Sequence, residues 1–254
     1  MYTERLVNAL KKLTDNQIRI LAELAEKLGN SIEKPTKIDS DFVTQEFWED
    51  FSAQLLAYHA FHEEKLTKKA FEYLMMASSN ATQKTAKLIK NPNHPGQDII
   101  IDNINFSLKT EGSKSIKRDE LTISKLMEAR WIRDCKTKQQ FVQGIQDHIM
   151  SHLSSYERIF CLRSFDRDDY LEYELVEIPL DLLKSVSQIQ ASHLGRLTKN
   201  GGCSANVIHQ GEKAFTLRLD GSVEKVTIAN IKIKNCIRHT VWKIPKNGIS
   251  HQNN

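Results

Sequence analysis

Hydrophobic residues recur at helical spacing through the first third of the chain. Apolar side chains three or four positions apart predict two helices between residues 3 and 29, separated by a break and N-cap at Thr14 and ended by Gly29. The same spacing predicts a helix from Thr44 to Tyr58 and another from Leu66 to Ser78. This part of the sequence is therefore expected to be helical.

The stretch HPGQDIIIDNINFSLKTEG, residues 94–112, changes to a strand pattern. A β-branched run of three isoleucines is followed by the turn-forming pair Asp102 and Asn103. From Ile104 to Glu111, apolar and polar residues then alternate. Two short strands joined by two turn residues predict a β-hairpin centred between Asp102 and Asn103.

The register of this hairpin gathers residues that suit metal-dependent hydrolysis. Asp98 lies across from Ser107, and Ser107, Lys109 and Glu111 share one face because side chains of a strand alternate. Leu108 points to the other face, towards the core. Mg²⁺ prefers carboxylate, carbonyl and water oxygens as ligands, and a nearby lysine can orient a water or balance charge on a phosphate. The spacing has the form of the PD-(D/E)xK nuclease signature, with serine in place of the second acid; the alternative is an ordinary hairpin with one solvated, charged face.

The remaining chain alternates predicted helices and strands. In order, these are a helix over Leu121–Trp131, a helix over Lys138–Ser154, strands over Tyr156–Phe165 and Tyr170–Ile178, a helix over Leu180–Ile189, a flexible basic loop over Ser192–Ser204, and a hairpin of Ala214–Leu219 and Val223–Ile233. His148 and His152 stand four residues apart, as in zinc proteases. No glutamate follows the first histidine, so the general base of that chemistry is absent.

Five collinear blocks of the sequence resemble the SmaI-type type II restriction endonucleases, members of the PD-(D/E)xK superfamily. The blocks are LTKKAFE, DIIIDNINFSLKTE, YERIFCLRSF, YELVEIP and CIRHTVW. The resemblance implies a restriction-endonuclease-like α/β core, in which helices flank a mixed central sheet. It also implies Mg²⁺-dependent hydrolysis of both strands of duplex DNA by a homodimer, at a short palindrome that is CCCGGG or a related C/G-rich site. A cognate DNA methyltransferase is the expected partner of such an enzyme.

The resemblance spans roughly residues 40 to 245 and assigns roles to residues within that range. Residues 1–40 are expected to form an N-terminal helical segment, residues 41–245 the catalytic and DNA-binding domain, and residues 246–254 a flexible tail. Asp98, the carbonyl of Leu108 and one further carboxylate are expected to bind Mg²⁺, and Lys109 to orient the attacking water.

The serine at position 107 departs from the family pattern and leaves the further carboxylate open. It is either Glu111, on the face of Lys109, or Glu72, on the helix that precedes the hairpin, where nucleases of this superfamily commonly carry a glutamate. The alternative for Glu72 is a solvated pair with Lys68, four residues earlier on the same helix.

Basic residues after the hairpin and near the C-terminus are candidates for binding DNA. Cationic side chains contact phosphates, and arginine is the commonest reader of guanine in the major groove. The candidates are Lys114, Lys117, Arg118, Lys125, Arg196, Lys199, Arg218, Arg238 and His239.

Amino-acid composition and charge limit the class of protein but do not identify a reaction. The 254 residues carry a net charge of +4, which permits a nucleic-acid partner but does not demand one. The sequence lacks a signal-peptide pattern and a bilayer-length apolar run, and its four cysteines form no CxxC pair, so a cytoplasmic protein with no membrane association is expected. Two alternatives stay open: a structure-specific DNA repair nuclease, and a catalytically inactive DNA-binding module of the same fold.

Overall fold

The structure is a computed structural model that describes residues 2–89, 96–199 and 201–246. Its α-helices are α1 (Tyr2–Leu10), α2 (Asp15–Leu28), α3 (Gln45–His59), α4 (Lys68–Ala81), α5 (Lys138–Gly144), α6 (Met150–Leu153) and α7 (Leu180–Lys184). A π-helical turn, Ile145–Ile149, joins α5 to α6. Short 3₁₀ helices span Arg130–Asp134, Ser185–Gln188, Ala191–His193 and Ile233–Asn235. The predicted flexible tail lies outside the described residues except for Lys246.

A six-stranded mixed sheet forms the centre of the molecule. Its strands, in spatial order, are β1 (Ala86–Leu88), β2 (Ile99–Ile101), β3 (Ile104–Glu111), β5 (Arg158–Asp166), β6 (Tyr170–Glu177) and β10 (Ile237–Pro245). Strands β3 and β5 are parallel, and the other neighbours are antiparallel. The long segment between β3 and β5, which contains one strand of a second sheet as well as helices, makes this parallel pairing possible, because a parallel crossover needs a long connection.

A second, four-stranded antiparallel sheet packs beside the first. Its spatial order is β4 (Glu120–Glu128), β9 (Lys225–Lys232), β8 (Glu212–Asp220) and β7 (Cys203–His209). The predicted hairpin near the C-terminus is confirmed by the antiparallel pairing of β8 with β9.

Two hydrophobic cores cover the two faces of the central sheet. One lies beneath α3 and α4 and contains Phe51, Phe106 and Trp242. The other joins the central sheet to the four-stranded sheet and to α5–α7. Aligned helices and sheets thus form stacked layers, and the molecule is a mixed α/β protein, as expected.

The helix predicted over Leu121–Trp131 is wrong, because this segment forms strand β4 and a following 3₁₀ turn. Leu121 and Ile123 are buried in strand alternation and pair with β9. The register shifts between Ile123 and Met127, which interrupts the alternation that would have identified a strand in the sequence. Pairing with a distant strand therefore decides the structure of this segment.

The loop predicted over Ser192–Ser204 is more structured than its composition indicated. It begins with a 3₁₀ turn, Leu194 forms a β-bridge to Ala205, and strand β7 starts at Cys203. The predicted helix over Leu180–Ile189 is confirmed, with its second half in 3₁₀ form.

The N-terminal helices lie at the edge of the molecule. The capping box of Thr14 and Gln17 begins α2, and Gly29 ends it, which confirms both boundary predictions. Neither α1 nor α2 contains a buried residue, although Leu6, Val7 and Ile18 are apolar. Across the parts of the chain that the structure describes, no helix combines the length and the apolar character needed to cross a membrane.

Candidate active site

The predicted hairpin and its register are confirmed. Asp102 and Asn103 both have positive φ angles, 51° and 67°, as a tight two-residue hairpin turn requires. Ile101 pairs with Ile104, and Ile99 pairs with Phe106. One step further along the two strands, this pairing brings Asp98 opposite Ser107.

Asp98 is fixed to the hairpin through one of its two carboxylate oxygens. Its Oδ2 accepts a hydrogen bond from the backbone amide of Leu108 at 2.6 Å and lies 3.4 Å from the hydroxyl of Ser107, which is fully buried. Its Oδ1 contacts the ammonium of Lys68 at 2.6 Å. The carboxylate is thus held in one orientation with its second oxygen available to a cation.

Lys109 lies on the same face of β3 as Ser107, close enough to Asp98 for their charges to interact. Burial lowers the pKa of Lys109 to about 8, although the negative charge of Asp98 acts in the opposite direction. A half-buried lysine with a lowered pKa and a carboxylate neighbour, facing a cleft, is typical of an active site.

Helix α4 brings a second carboxylate to Asp98. Thr67 caps the helix, which packs against β2 and β3 and carries Lys68 and Glu72 on adjacent turns. The ammonium of Lys68 lies 3.3 Å from a carboxylate oxygen of Glu72. Burial raises the pKa of Glu72, with Lys68 opposing this effect and Asp98 reinforcing it. Lys68 therefore bridges two carboxylates, a placement that the sequence did not reveal.

Glu111 has other partners. Its carboxylate accepts hydrogen bonds from the guanidinium of Arg163 and the amide of Thr122, both at 2.8 Å. Burial raises the pKa of Glu111 against the opposing effect of Arg163. Arg163 is itself fully buried and also pairs with Glu174 at 2.9 Å. The structure thus joins Glu72, rather than Glu111, to Asp98.

Asp98 and Lys109 open into a cleft of about 940 Å³. The helical segment from α5 to α6 supplies part of its lining, including Asp147, His148 and His152. His148 stacks on Trp131, and burial lowers the pKa of His152 to about 4, so its imidazole is neutral at pH 7. The spacing of the two histidines was visible in the sequence, but their position in the lining of the cleft was not.

The candidate DNA-binding residues are distributed unevenly around the molecule. Lys125 lines the cleft and pairs with Glu128. Three others form ion pairs away from it: Lys117 with Glu120, Arg118 with Glu172, and Arg238 with Glu174. All eight of these candidates other than His239 are exposed, including the remaining four: Lys114, Arg196, Lys199 and Arg218.

His239 lies in the interior, not on the surface where DNA would meet it. Its two ring nitrogens contact the Ser40 hydroxyl at 2.7 Å and the Glu177 carboxylate at 3.1 Å. Asp41, Glu177 and His239 are close enough to hold a metal, with ligand atoms within 4.8 Å of one another. Arg158 forms ion pairs with both carboxylates, so this cluster already contains its own balancing cation.

The sequence of this chain is similar to that of a known protein family. The SmaI family model, described as type II site-specific deoxyribonuclease, matches residues 6–244. The type II restriction enzyme SmaI of Serratia marcescens is 31% identical over 213 residues, which cover 81% of this chain and 83% of that protein. No solved structure matches the chain significantly.

Proposed function

The chain belongs to the SmaI family of type II site-specific deoxyribonucleases, and on that premise we propose that the cleft at Asp98 and Lys109 is its active site. It is a restriction endonuclease, an enzyme that cleaves DNA at a specific sequence. Family membership sets aside the repair nuclease and the inactive binding module that the sequence left open. The observation that supports the placement of the site is that the fixed Asp98 carboxylate and the half-buried Lys109 face one cleft.

The central sheet is proposed to be a PD-(D/E)xK core. Strands β2 and β3 form an antiparallel hairpin, and β3 then pairs in parallel with β5. Helices α3 and α4 cover one face of this sheet. Asp98, directly before β2, and Lys109, in β3, occupy the positions that the signature gives to its first acid and its lysine.

The residues around Asp98 fit a magnesium ion. The carboxylates of Asp98 and Glu72 converge on a single cationic group, the ammonium of Lys68, so the structure already contains a place where two acidic oxygens stabilise positive charge. Hard oxygen donors of this kind suit Mg²⁺. We propose Asp98, Glu72 and the carbonyl of Leu108 as its ligands. Glu111, bound to Arg163, is the less suitable of the two carboxylates that the sequence left open.

The reaction is hydrolysis of a phosphodiester. Water adds to phosphorus as one P–O ester bond breaks, and the leaving oxygen takes a proton. A magnesium ion held by Asp98, Glu72 and the Leu108 carbonyl would polarise the phosphate and acidify the water. Lys109 is proposed to orient that water with its Nζ and to balance the negative charge that develops on the phosphate. Its pKa of about 8 allows Nζ to hold or release a proton near neutral pH.

The DNA path is proposed to run over Lys125 at the cleft and over exposed basic residues elsewhere on the surface. Lys125 at the cleft and the exposed Lys114 are candidates for phosphate contacts, and the exposed Arg196 and Arg218 for base contacts. By analogy with the family, a homodimer would act on a C/G-rich palindrome, and a DNA methyltransferase would protect the host's own sites.

A digest of phage DNA with and without Mg²⁺, followed by sequencing of the fragment ends, tests this proposal. Discrete fragments that share a palindrome are expected only with the metal. Asp98→Asn and Lys109→Ala are expected to abolish cleavage while DNA binding persists. Cleavage by Asp98→Asn at the wild-type rate, or equal cleavage in EDTA, would contradict the proposed site.

A further inference from the structure

A lysine occupies the cation position of the proposed metal site. Lys68 Nζ contacts Asp98 Oδ1 at 2.6 Å and Glu72 Oε1 at 3.3 Å. The other oxygen of Asp98 is taken by the amide of Leu108. The two carboxylate oxygens directed at Lys68 are therefore the ones that a metal ion would need.

We propose that Lys68 is an internal cation that holds the metal site closed in the absence of DNA. This inference rests on the proposed function of the cleft. A divalent ion bound to Asp98 and Glu72 would meet the positive charge of Lys68 at close range, and like charges at a few ångströms repel strongly in a half-buried site. Metal binding to the free enzyme thus requires Lys68 to leave.

The surroundings of Lys68 allow that departure. Its side chain is 42% exposed, whereas Asp98 and Glu72 are only 13% and 19% exposed. The ammonium can therefore swing into the cleft while the carboxylates stay in place. A DNA phosphate in the cleft provides an alternative anionic partner, so that Lys68 exchanges a carboxylate for a phosphate as the metal enters.

The balance of charge favours replacement of Lys68 by a metal ion when DNA is bound. Without metal, the cations Lys68 and Lys109 match the anions Asp98 and Glu72. Adding a divalent ion to this set leaves two excess positive charges, which the phosphates of bound DNA can offset. Metal and DNA are therefore expected to bind cooperatively, each favouring the other by the same factor.

The test measures binding of Mn²⁺ to EDTA-treated, DNA-free protein by electron paramagnetic resonance. Lys68→Met removes the charge and keeps the length of the side chain; it is expected to tighten Mn²⁺ binding at least about tenfold. The control is Lys69→Met, on the same helix. Lys69 is exposed, its ammonium lies 6.0 Å from the centre of the Tyr73 ring, and its charge has the weakest effect on Glu72. This variant is expected to change Mn²⁺ binding far less than Lys68→Met does. Lys68→Gln, which keeps a donor for Asp98, serves if the methionine variant does not fold.

Equal or weaker Mn²⁺ binding by the folded Lys68 variants would overturn the inference. Asp98→Asn separates this outcome from failure of the proposed site. Loss of Mn²⁺ binding in Asp98→Asn, together with no gain in Lys68→Met, would overturn the role of Lys68 alone. Unchanged binding in Asp98→Asn would overturn the metal site itself, and the inference with it. Thermal unfolding in EDTA adds a second readout, because Lys68→Met leaves two carboxylates without their cation and is expected to melt at a lower temperature than Lys69→Met.

Discussion

The charged ammonium of Lys109 is expected to lower the free energy of unfolding of the protein. Burial lowers its pKa from 10.5 to about 8. That difference corresponds to roughly 3 kcal/mol, the net cost of keeping the ammonium charged inside the protein at neutral pH. Lys109→Met keeps the length of the side chain without its charge. It is therefore expected to raise the free energy of unfolding at pH 7 by on the order of 3 kcal/mol, and to abolish cleavage.

The pH dependence gives the prediction its sign. Because the folded-state pKa lies below the unfolded-state value, the cost is fully present below about pH 8. It shrinks between pH 8 and 10.5, where the folded protein has lost the proton and the unfolded chain still holds it. Above that window both states are neutral at Lys109, and the wild type and Lys109→Met are expected to be equally stable.

Urea unfolding of both proteins in EDTA, at several pH values from 7 to about 10.5, measures this difference. Lys125→Met is the matched control, since Lys125 lines the same cleft but is 54% exposed. Its stability is expected to stay within about 0.5 kcal/mol of the wild type. A Lys109→Met variant that is less stable at pH 7, or a difference that does not change with pH, would refute the reasoning.

Two further predictions concern the carboxylates near the cleft. Glu72→Gln is expected to weaken Mn²⁺ binding, measured by isothermal titration, whereas Glu111→Gln is expected to preserve it. Glu111→Gln is also expected to lower the free energy of unfolding in urea by about 1.5–3 kcal/mol, because Arg163 loses a charged partner. Weaker Mn²⁺ binding by Glu111→Gln and unchanged binding by Glu72→Gln would make Glu111 the ligand. Arg163→Met is expected to cost about 3–5 kcal/mol in urea unfolding, because it leaves the buried Glu174 without its buried partner; a change below about 1 kcal/mol would contradict that role.

The hairpin could be predicted from the sequence because all its determinants are local. Asp102 and Asn103 tolerate the positive φ angles of the turn, and the alternation that follows sets one face of β3 towards the core. Once the turn is placed, the partner of every residue in the two strands is fixed. The position of Asp98 opposite Ser107 follows from counting residues outward from the turn.

Strand β4 and the choice between the two glutamates could not be predicted in this way. The β4 segment is held by contacts with β9, such as the hydrogen bond from the Thr227 hydroxyl to the Ser124 carbonyl at 2.9 Å, across 103 positions of sequence. Glu111 is taken by Arg163, 52 positions away. Residues on one face of one strand looked equivalent in the sequence, and only tertiary contacts distinguish Glu111 from Lys109.

The serine at position 107 becomes understandable from the way Asp98 is held. The PD-(D/E)xK signature proposed for this site has a second acid at this position, but here the buried hydroxyl faces the Asp98 oxygen that also accepts a hydrogen bond from the Leu108 amide. A carboxylate in its place would add a second negative charge beside that oxygen, inside the protein and without a cation. Glu72 instead approaches the other Asp98 oxygen from α4, through the cation of Lys68. In the proposed site, Glu72 of α4 therefore takes the place of the acid that the strand lacks.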